Sequence, residues 1–496
     1  MSDLTASRTA EFAGRRPRPL IFERGGEGAR CATFPALDVP DIDMSEALGG
    51  RARTVAPALP QVTEVDVARH YAALASVNFG VDNGFYPLGS CTMKYNPRVN
   101  EDMARLPGFT GLHPYQPDAT AQGALELMHG LAEALGEVAG LENVTLQPAA
   151  GAHGEYTGLM AIRCYHAARG DVRRRVVIPD SAHGTNPATV SMCGYEVTTI
   201  PSGPDGGVDL DALKAALDTD VAAFMLTNPN TLGLFDANIC AITEMVHAVG
   251  ALAYCDGANL NAIMGKVRPG DMGFDALHIN LHKTFSTPHG GGGPGAGPVA
   301  VRDILAPYLP GPMVVKRQDG TFGFSTPEHS MGRVRSFNGN FGILVRAYTY
   351  IRALGGEGLR EASEQAVLSA NYLKERLRDA YDLPYDRTCM HEFVLSGRRQ
   401  RKESGVRTLD IAKRLLDFGY HPPTIYFPMI VDEAIMIEPT ETEGLATLDA
   451  FADAMLAIAK EIKDDPDALH EAPYTTPVRR LDESRAVKQP DLRWRP

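Results

Sequence analysis

The chain has 496 residues, 44% hydrophobic and 22% charged, an ordinary globular composition with length enough for two or three domains. Its 48 Lys and Arg against 61 Asp and Glu give a formal charge of −13, which argues against nucleic acid as the main partner. Seven Cys lack any Cys-x-x-Cys pair, so neither a disulfide framework nor a metal site is expected; no apolar run has the roughly 18 residues of a membrane span, and a cytoplasmic protein is expected.

Residues 1–105 are rich in Pro, Arg and Gly and read as an N-terminal arm, with one helical stretch near Val65 to Leu74. Ser7 to Arg18 resembles a transit segment, although Asp3 and Glu11 count against it. Residues 106–345 alternate helix and strand signals. A helix with Leu125, Met128, Ala132 and Leu135 on one face comes first. Short β-like runs follow at Asn143 to Leu146, Arg175 to Ile178, Ala222 to Leu226, Ala251 to Tyr254 and Ala276 to Ile279. Helix-compatible stretches separate most of them, which predicts a mainly parallel sheet covered by helices, with the polar loops gathered at its carboxyl edge. Residues 346–469 change pattern. A helix around Leu359 to Leu377 precedes β-like runs at His391 to Leu395, Thr424 to Phe427 and Ala434 to Ile437. Thr440 to Glu443 reads as a capping box for a helix carrying Leu445, Leu448, Phe451, Met455, Ile458 and Ile462. This is a smaller α+β domain, and residues 470–496 read as a charged, Pro-rich tail.

Two residues at the ends of apolar runs carry the chemistry. Lys283 lies in His278-Ile-Asn-Leu-His-Lys-Thr-Phe285, and Asp256 closes Ala251-Leu-Ala-Tyr-Cys-Asp256. Either alone is an ordinary surface Lys or turn-forming Asp. As a pair they have the layout of a pyridoxal phosphate enzyme, in which a Lys amine forms a Schiff base with the cofactor aldehyde and a carboxylate keeps the pyridine nitrogen protonated. Gly151-Ala152-His153-Gly-Glu155, between the first strand and a helix, reads as a cup for the cofactor phosphate, with His153 a candidate to stack on the ring. A plain Gly-rich turn and a loop His are the alternatives. Thr185, Asn228 and Asn230, in loops after strands, are candidates to face the phenolic oxygen or the substrate amine, against the alternative of simple turns. The Gly290 to Gly297 run has neither a P-loop nor a dinucleotide fingerprint and reads as a flexible flap.

Together these stretches resemble a family. Tyr86-Pro-Leu-Gly-Ser-Cys-Thr-Met-Lys-Tyr-Asn-Pro97, Gly151 to Glu155, Ser181-Ala-His-Gly-Thr-Asn-Pro187, Thr227 to Asp236, Asp256 to Ala262, Leu281-His-Lys-Thr-Phe285 and Glu438-Pro-Thr-Glu-Thr-Glu443 are similar to the glycine decarboxylase (P-protein) of the glycine cleavage system, in particular the second, cofactor-carrying subunit of its divided form. Tyr156 stands where a Trp is expected in many relatives. The resemblance implies a fold-type-I pyridoxal phosphate architecture, glycine as substrate, release of CO2 and transfer of the aminomethyl group to the lipoyl arm of the H-protein. It also implies a first-subunit partner in an α2β2 assembly, and His282 as a candidate phosphate ligand. Ser90, Cys91 and Thr92 are placed near the entrance. An aminotransferase or cysteine desulfurase would share the Lys–Asp pair, and a scaffold subunit without cofactor would not need it.

Overall fold

The computed structural model describes residues 19–289 and 295–493. Part of the Gly290 to Gly297 run and the transit-like Ser7 to Arg18 segment therefore lie outside the described residues. Contacts group Gly84–His470 into one unit, and the described residues on either side of it into another. In the smaller unit, the helix Glu64–Ala75 starts at a capping box: the Thr63 hydroxyl accepts the Asp66 N–H at 3.2 Å and Asp66 accepts that of Thr63 at 3.1 Å.

The larger unit is built on a seven-stranded sheet. Its strands are β1 (Asn143–Thr145), β2 (Arg175–Pro179), β3 (Glu196–Ile200), β4 (Val221–Thr227), β5 (Leu252–Gly257), β6 (Ala276–Ile279) and β7 (Val299–Val301), in the order β1-β7-β6-β5-β4-β2-β3. β7 runs antiparallel to both β1 and β6, and the other pairs are parallel. The strands lack polar alternation because both faces are covered. Val177, Phe224, Cys255 and Leu277 face one core, with helices α1 (Gln122–Ala139), α4 (Ile239–Ala248) and α5 (Phe341–Leu377). Val176, Met225, Tyr254 and Ala276 face the other, with α2 (Gly151–Ala168) and α3 (Thr185–Met192). Each large side chain removed from water in this way contributes about 1.5–3 kcal/mol. The fold is the α/β architecture expected of fold-type-I enzymes.

Beyond the sheet, α5 is broken at Gly355, whose φ of 64° lies in the left-handed region. The stretch after this break is the helix legible in the sequence; the first half, from Phe341, is not, because the break interrupts its periodicity. The second half of α5 and α6 (Leu445–Asp464) cover a three-stranded antiparallel sheet of β10 (Phe393–Ser396), β11 (Thr424–Ile425) and β12 (Ala434–Ile437), leaving β8 (Met313–Lys316) and β9 (Phe322–Ser325) as a separate hairpin. The expected capping box at Thr440 to Glu443 does not cap α6, whose N-cap is Gly444. Glu441 is instead taken by Lys94, and the Thr440 hydroxyl bonds to Thr442 at 3.0 Å. Among the described residues no helix is long and apolar enough to cross a membrane.

Candidate active site

Parallel register brings three distant residues to one edge of the sheet, Thr227 beside Asp256 and Asp256 beside His278. These are the carboxyl ends of β4, β5 and β6, where open α/β sheets bind ligands. A cavity of about 240 Å³ opens there, and Lys283, on the single helical turn Leu281–Thr284 after β6, reaches into it while 8% exposed.

Asp256 is buried and held on both oxygens. Its Oδ2 accepts the Asn186 amide at 2.9 Å and Oδ1 the Ala258 N–H at 3.1 Å. His278 Nε2 lies 3.2 Å from Oδ1, at ion-pair distance but off the line of a hydrogen bond, while its Nδ1 meets the Tyr254 hydroxyl at 3.0 Å. Burial pushes the Asp256 carboxyl up, but His278, the Asn186 amide, His183 and Lys283 together hold it below the ordinary range. It is a carboxylate aimed at a buried cavity.

The start of α2 also lines the cavity. Gly151 and Ala152 line it, and a Cβ on Gly151 would meet the Asn280 side chain at 2.6 Å, so only glycine allows this approach. Glu155, one turn on, accepts the hydroxyls of Thr185 at 2.6 Å and Thr189 at 2.9 Å, which pins α3 against α2. Burial pushes the His282 imidazole down to about 3, with Lys283 adding to the effect.

Of the residues singled out in the sequence, Lys283, Asp256, Gly151, Ala152, Thr185, His282 and Asn230 line this one cavity. His153 and Asn228 are not among the lining residues. His153 Nδ1 accepts the Ala149 N–H at 3.1 Å, and Asn228 Oδ1 accepts that of Asp236 at 3.0 Å. Among the imidazoles on the cavity wall is that of His183, whose Nδ1 lies 2.8 Å from the Thr185 hydroxyl. In the sequence His183 stands only as part of the Ser181 to Pro187 loop, because nothing local separates a His facing a ligand from a His closing a turn. Ser90 and Cys91 also line the cavity, whereas Thr92 is buried against Glu438. His391 and Glu392 complete the wall from the C-terminal part of the chain.

Two family models match this chain. One described as "Glycine cleavage system P-protein" covers residues 45–326, more than half of it, and one described as "Glycine dehydrogenase, C-terminal domain" covers 362–474. The chain belongs to the glycine cleavage system P-protein family. Relatives at the same level include a probable glycine dehydrogenase (decarboxylating) subunit 2 of Bacillus licheniformis, 59% identical over 96% of this chain and 98% of the relative. The protein of the same name from Caldanaerobacter subterraneus is 58% identical over 96% and 98%. Among solved structures, a glycine decarboxylase (P-protein) in inhibitor-bound form superposes with a TM-score of 0.67 at 22% identity, covering 84% of this chain and 93% of that one. A cysteine desulfurase from Thermococcus onnurineus gives 0.60 at 15%, covering 76% and 95%. At such identities these two speak for the fold alone, and the P-protein assignment rests on the close relatives and the family models.

Proposed function

We propose that this chain is the cofactor-carrying subunit of a divided glycine decarboxylase, with the cavity between Lys283 and Asp256 as its catalytic centre. The observation that carries the reading is the pairing of a buried Lys with an ionised, doubly hydrogen-bonded Asp across one cavity in a P-protein family member.

The residues present suit pyridoxal phosphate. Five buried polar atoms on the cavity wall, Thr227 Oγ1, His278 Nε2, Asn280 Oδ1, His282 Nδ1 and His391 Nδ1, have no hydrogen-bond partner among the described residues. Unsatisfied groups are rare in native interiors, and a polar ligand would satisfy them. When bound, the cofactor supplies an aldehyde for amines and a ring that accepts the electron pair of the bond broken at the substrate carbon. Lys283 would anchor the aldehyde end and yield its place to the glycine amine. Asp256, fixed by Asn186 and the Ala258 N–H, would hold a proton on the ring nitrogen. The free N–H groups at the start of α2, with Thr185 and His282, would take the phosphate. His183, on the cavity wall, is our candidate for the ring face, with His153 as the alternative. Preorganised groups of this kind need not reorient as charge develops.

The names of the relatives as subunit 2 support a first-subunit partner, and we extend this to an α2β2 assembly with an obligate interface above roughly 2,000 Å². We take the lipoyl arm of the H-protein as the acceptor of the aminomethyl group. The test is glycine-dependent exchange of labelled bicarbonate by this chain with its first subunit and lipoylated H-protein. The reading expects exchange with glycine and none with bulkier amino acids; no exchange with glycine defeats it.

A further inference from the structure

Outside the Lys283 and Asp256 machinery, the cavity wall holds a second cluster of titratable groups. The antiparallel register Phe393↔Ile437 of β10 and β12 sets the residues just outside it, Glu392 and Glu438, side by side. Both are buried, at 3% and 0% exposure, and their carboxylate oxygens lie with a His391 ring nitrogen within 4.8 Å of one another. The segment is locked in place by Gly233, with a φ of 75°. Its carbonyl accepts the Met390 N–H at 2.7 Å, and a Cβ there would meet the Glu392 carbonyl oxygen at 1.9 Å.

The two carboxyls are served differently. Glu438 Oε1 accepts the Thr92 hydroxyl at 2.7 Å and the Asn259 amide at 3.0 Å, and Oε2 accepts the Thr92 N–H at 3.0 Å. Every one of these groups donates, which suits the ionised form. Among the described residues, Glu392 accepts only the Ser90 N–H, at 2.7 Å on Oε2; its Oε1 is 3.7 Å from His391 Nε2, beyond hydrogen-bond reach. Burial pushes His391 down to about 3, so its ring is neutral and offers Glu392 no charge. Two buried carboxyls this close do not both ionise, and the one with fewer donors keeps the proton. Burial, and then the neighbouring Glu438, push Glu392 up to about 8; burial pushes Glu438 to about 7. Of the cavity-lining residues, Glu392 is thus a neutral carboxyl with a free oxygen, on the same wall as Cys91 and within the field of Lys283.

We propose that Glu392 is a general acid of this site, carrying a proton on Oε1 and giving it to the sulfur that leaves when a lipoyl disulfide is opened. The inference rests on the proposed function. In that step the electron pair freed when CO2 departs forms a carbon–sulfur bond. The sulfur–sulfur bond breaks, the disulfide is reduced by two electrons, and the departing sulfur takes the Glu392 proton. The Glu392 carboxylate so formed regains its proton from solvent. Neutralising the thiolate prevents it from reattacking. The titratable groups facing Glu392 among the described residues are Glu438 just after β12, Lys283 from the turn after β6, Cys91 from the loop after Gly89, and His391 and Cys389 from its own strand approach.

The test uses the assembled enzyme and the isolated chain with Glu392→Gln and Glu438→Gln. In the isolated chain, thermal unfolding against pH reads the proton directly. A carboxyl raised in the folded state binds its proton more tightly there than in the unfolded chain, so stability falls as pH rises from the ordinary Glu range to about 8. Glu392→Gln removes the upper part of that decline, between about pH 7 and 8; the lower part belongs also to Glu438, itself pushed up to about 7. In the assembly, thiol formation on the lipoyl acceptor should fall roughly 10²-fold in Glu392→Gln, the usual scale for losing a general acid. Glu392→Asp should partly restore transfer, which a merely structural role for the carboxyl would not give. Wild-type transfer should decline as pH rises through about 8, and Glu438→Gln, which removes the like charge, should move this limb to lower pH. Transfer in Glu392→Gln equal to wild type, or a decline of stability between about pH 7 and 8 that persists in it, overturns the donor role. A wild-type enzyme that performs no exchange defeats the functional reading, and the unfolding comparison still reports whether Glu392 holds the proton.

Discussion

Lys94 and Glu441 come from opposite ends of the larger unit and meet beneath the Lys283 turn, with Nζ 2.6 Å from Oε1 and side chains 1% and 10% exposed. Lys94 also donates to the Thr284 carbonyl at 2.7 Å, Asn261 Oδ1 at 2.9 Å and the Tyr350 hydroxyl at 3.3 Å. It thus ties the residue after Lys283 to the loop after Asp256. Burial alone would depress the Lys94 ammonium, but Glu441 more than offsets this and raises it, while Lys94 holds Glu441 below its ordinary range. Lys94→Met leaves the Glu441 charge buried without its cation, which costs about 3–5 kcal/mol. At an unfolding entropy of about 2.1 cal/mol/K per residue, a unit spanning 84–470 loses about 1.2 °C per kcal/mol, so Tm should fall by about 4–6 °C. The double variant Lys94→Met/Glu441→Leu removes both charges and should recover most of the loss. Denaturant and thermal unfolding of the three proteins measure this. A single variant within about 1 kcal/mol of wild type, or a double variant as unstable as the two singles added together, would refute the reasoning.

Lys283→Ala should fold normally, since this Lys is needed for chemistry rather than packing, and should lose turnover; measurable glycine decarboxylation at wild-type rates would remove Lys283 from its role. Asp256→Asn should bind cofactor with an altered visible spectrum and lose about 10²-fold or more in kcat, because the fixed charge is gone. Near-normal kcat would assign the ring proton to another group. His183→Ala and His153→Ala separate the two candidates for the ring face: the former should change both spectrum and rate, the latter neither beyond a few-fold. The opposite pattern would reverse their roles. The purified chain alone should catalyse poorly and gain activity with its first subunit, as size exclusion and exchange assays will read; full activity of the lone chain with lipoylated H-protein would rule out the divided-enzyme proposal.

Much of the large domain was legible because its signals are local. The apolar runs that became β2, β4, β5 and β6 are continuous, as buried parallel strands must be, and the residues at their ends fall at one sheet edge by register. What escaped depends on long-range contact. β7 is three residues long and pairs antiparallel between β1 and β6, so no periodicity announces it. Glu392 reads in sequence as the polar start of a strand, and only pairing of β10 with β12 places it beside Glu438, 46 positions away, at the cavity. The Thr440 to Glu443 signal was a true capping pattern overruled by a stronger partner, the buried Lys94 ammonium. His153 and His183 could not be ranked from sequence, since both follow Gly- or Ser-containing stretches, and only the fold sets His153 in the first turn of α2 and His183 in the loop after β2.

The central claim is that Lys283 is the residue that anchors the cofactor aldehyde. Borohydride reduction of the chain loaded with pyridoxal phosphate, followed by proteolysis and mass spectrometry, tests it most directly. A phosphopyridoxyl group should appear on the peptide containing Lys283 and be lost when glycine is added before reduction. Stable labelling of a different lysine instead, or none at Lys283 in a protein that has taken up cofactor, would contradict it.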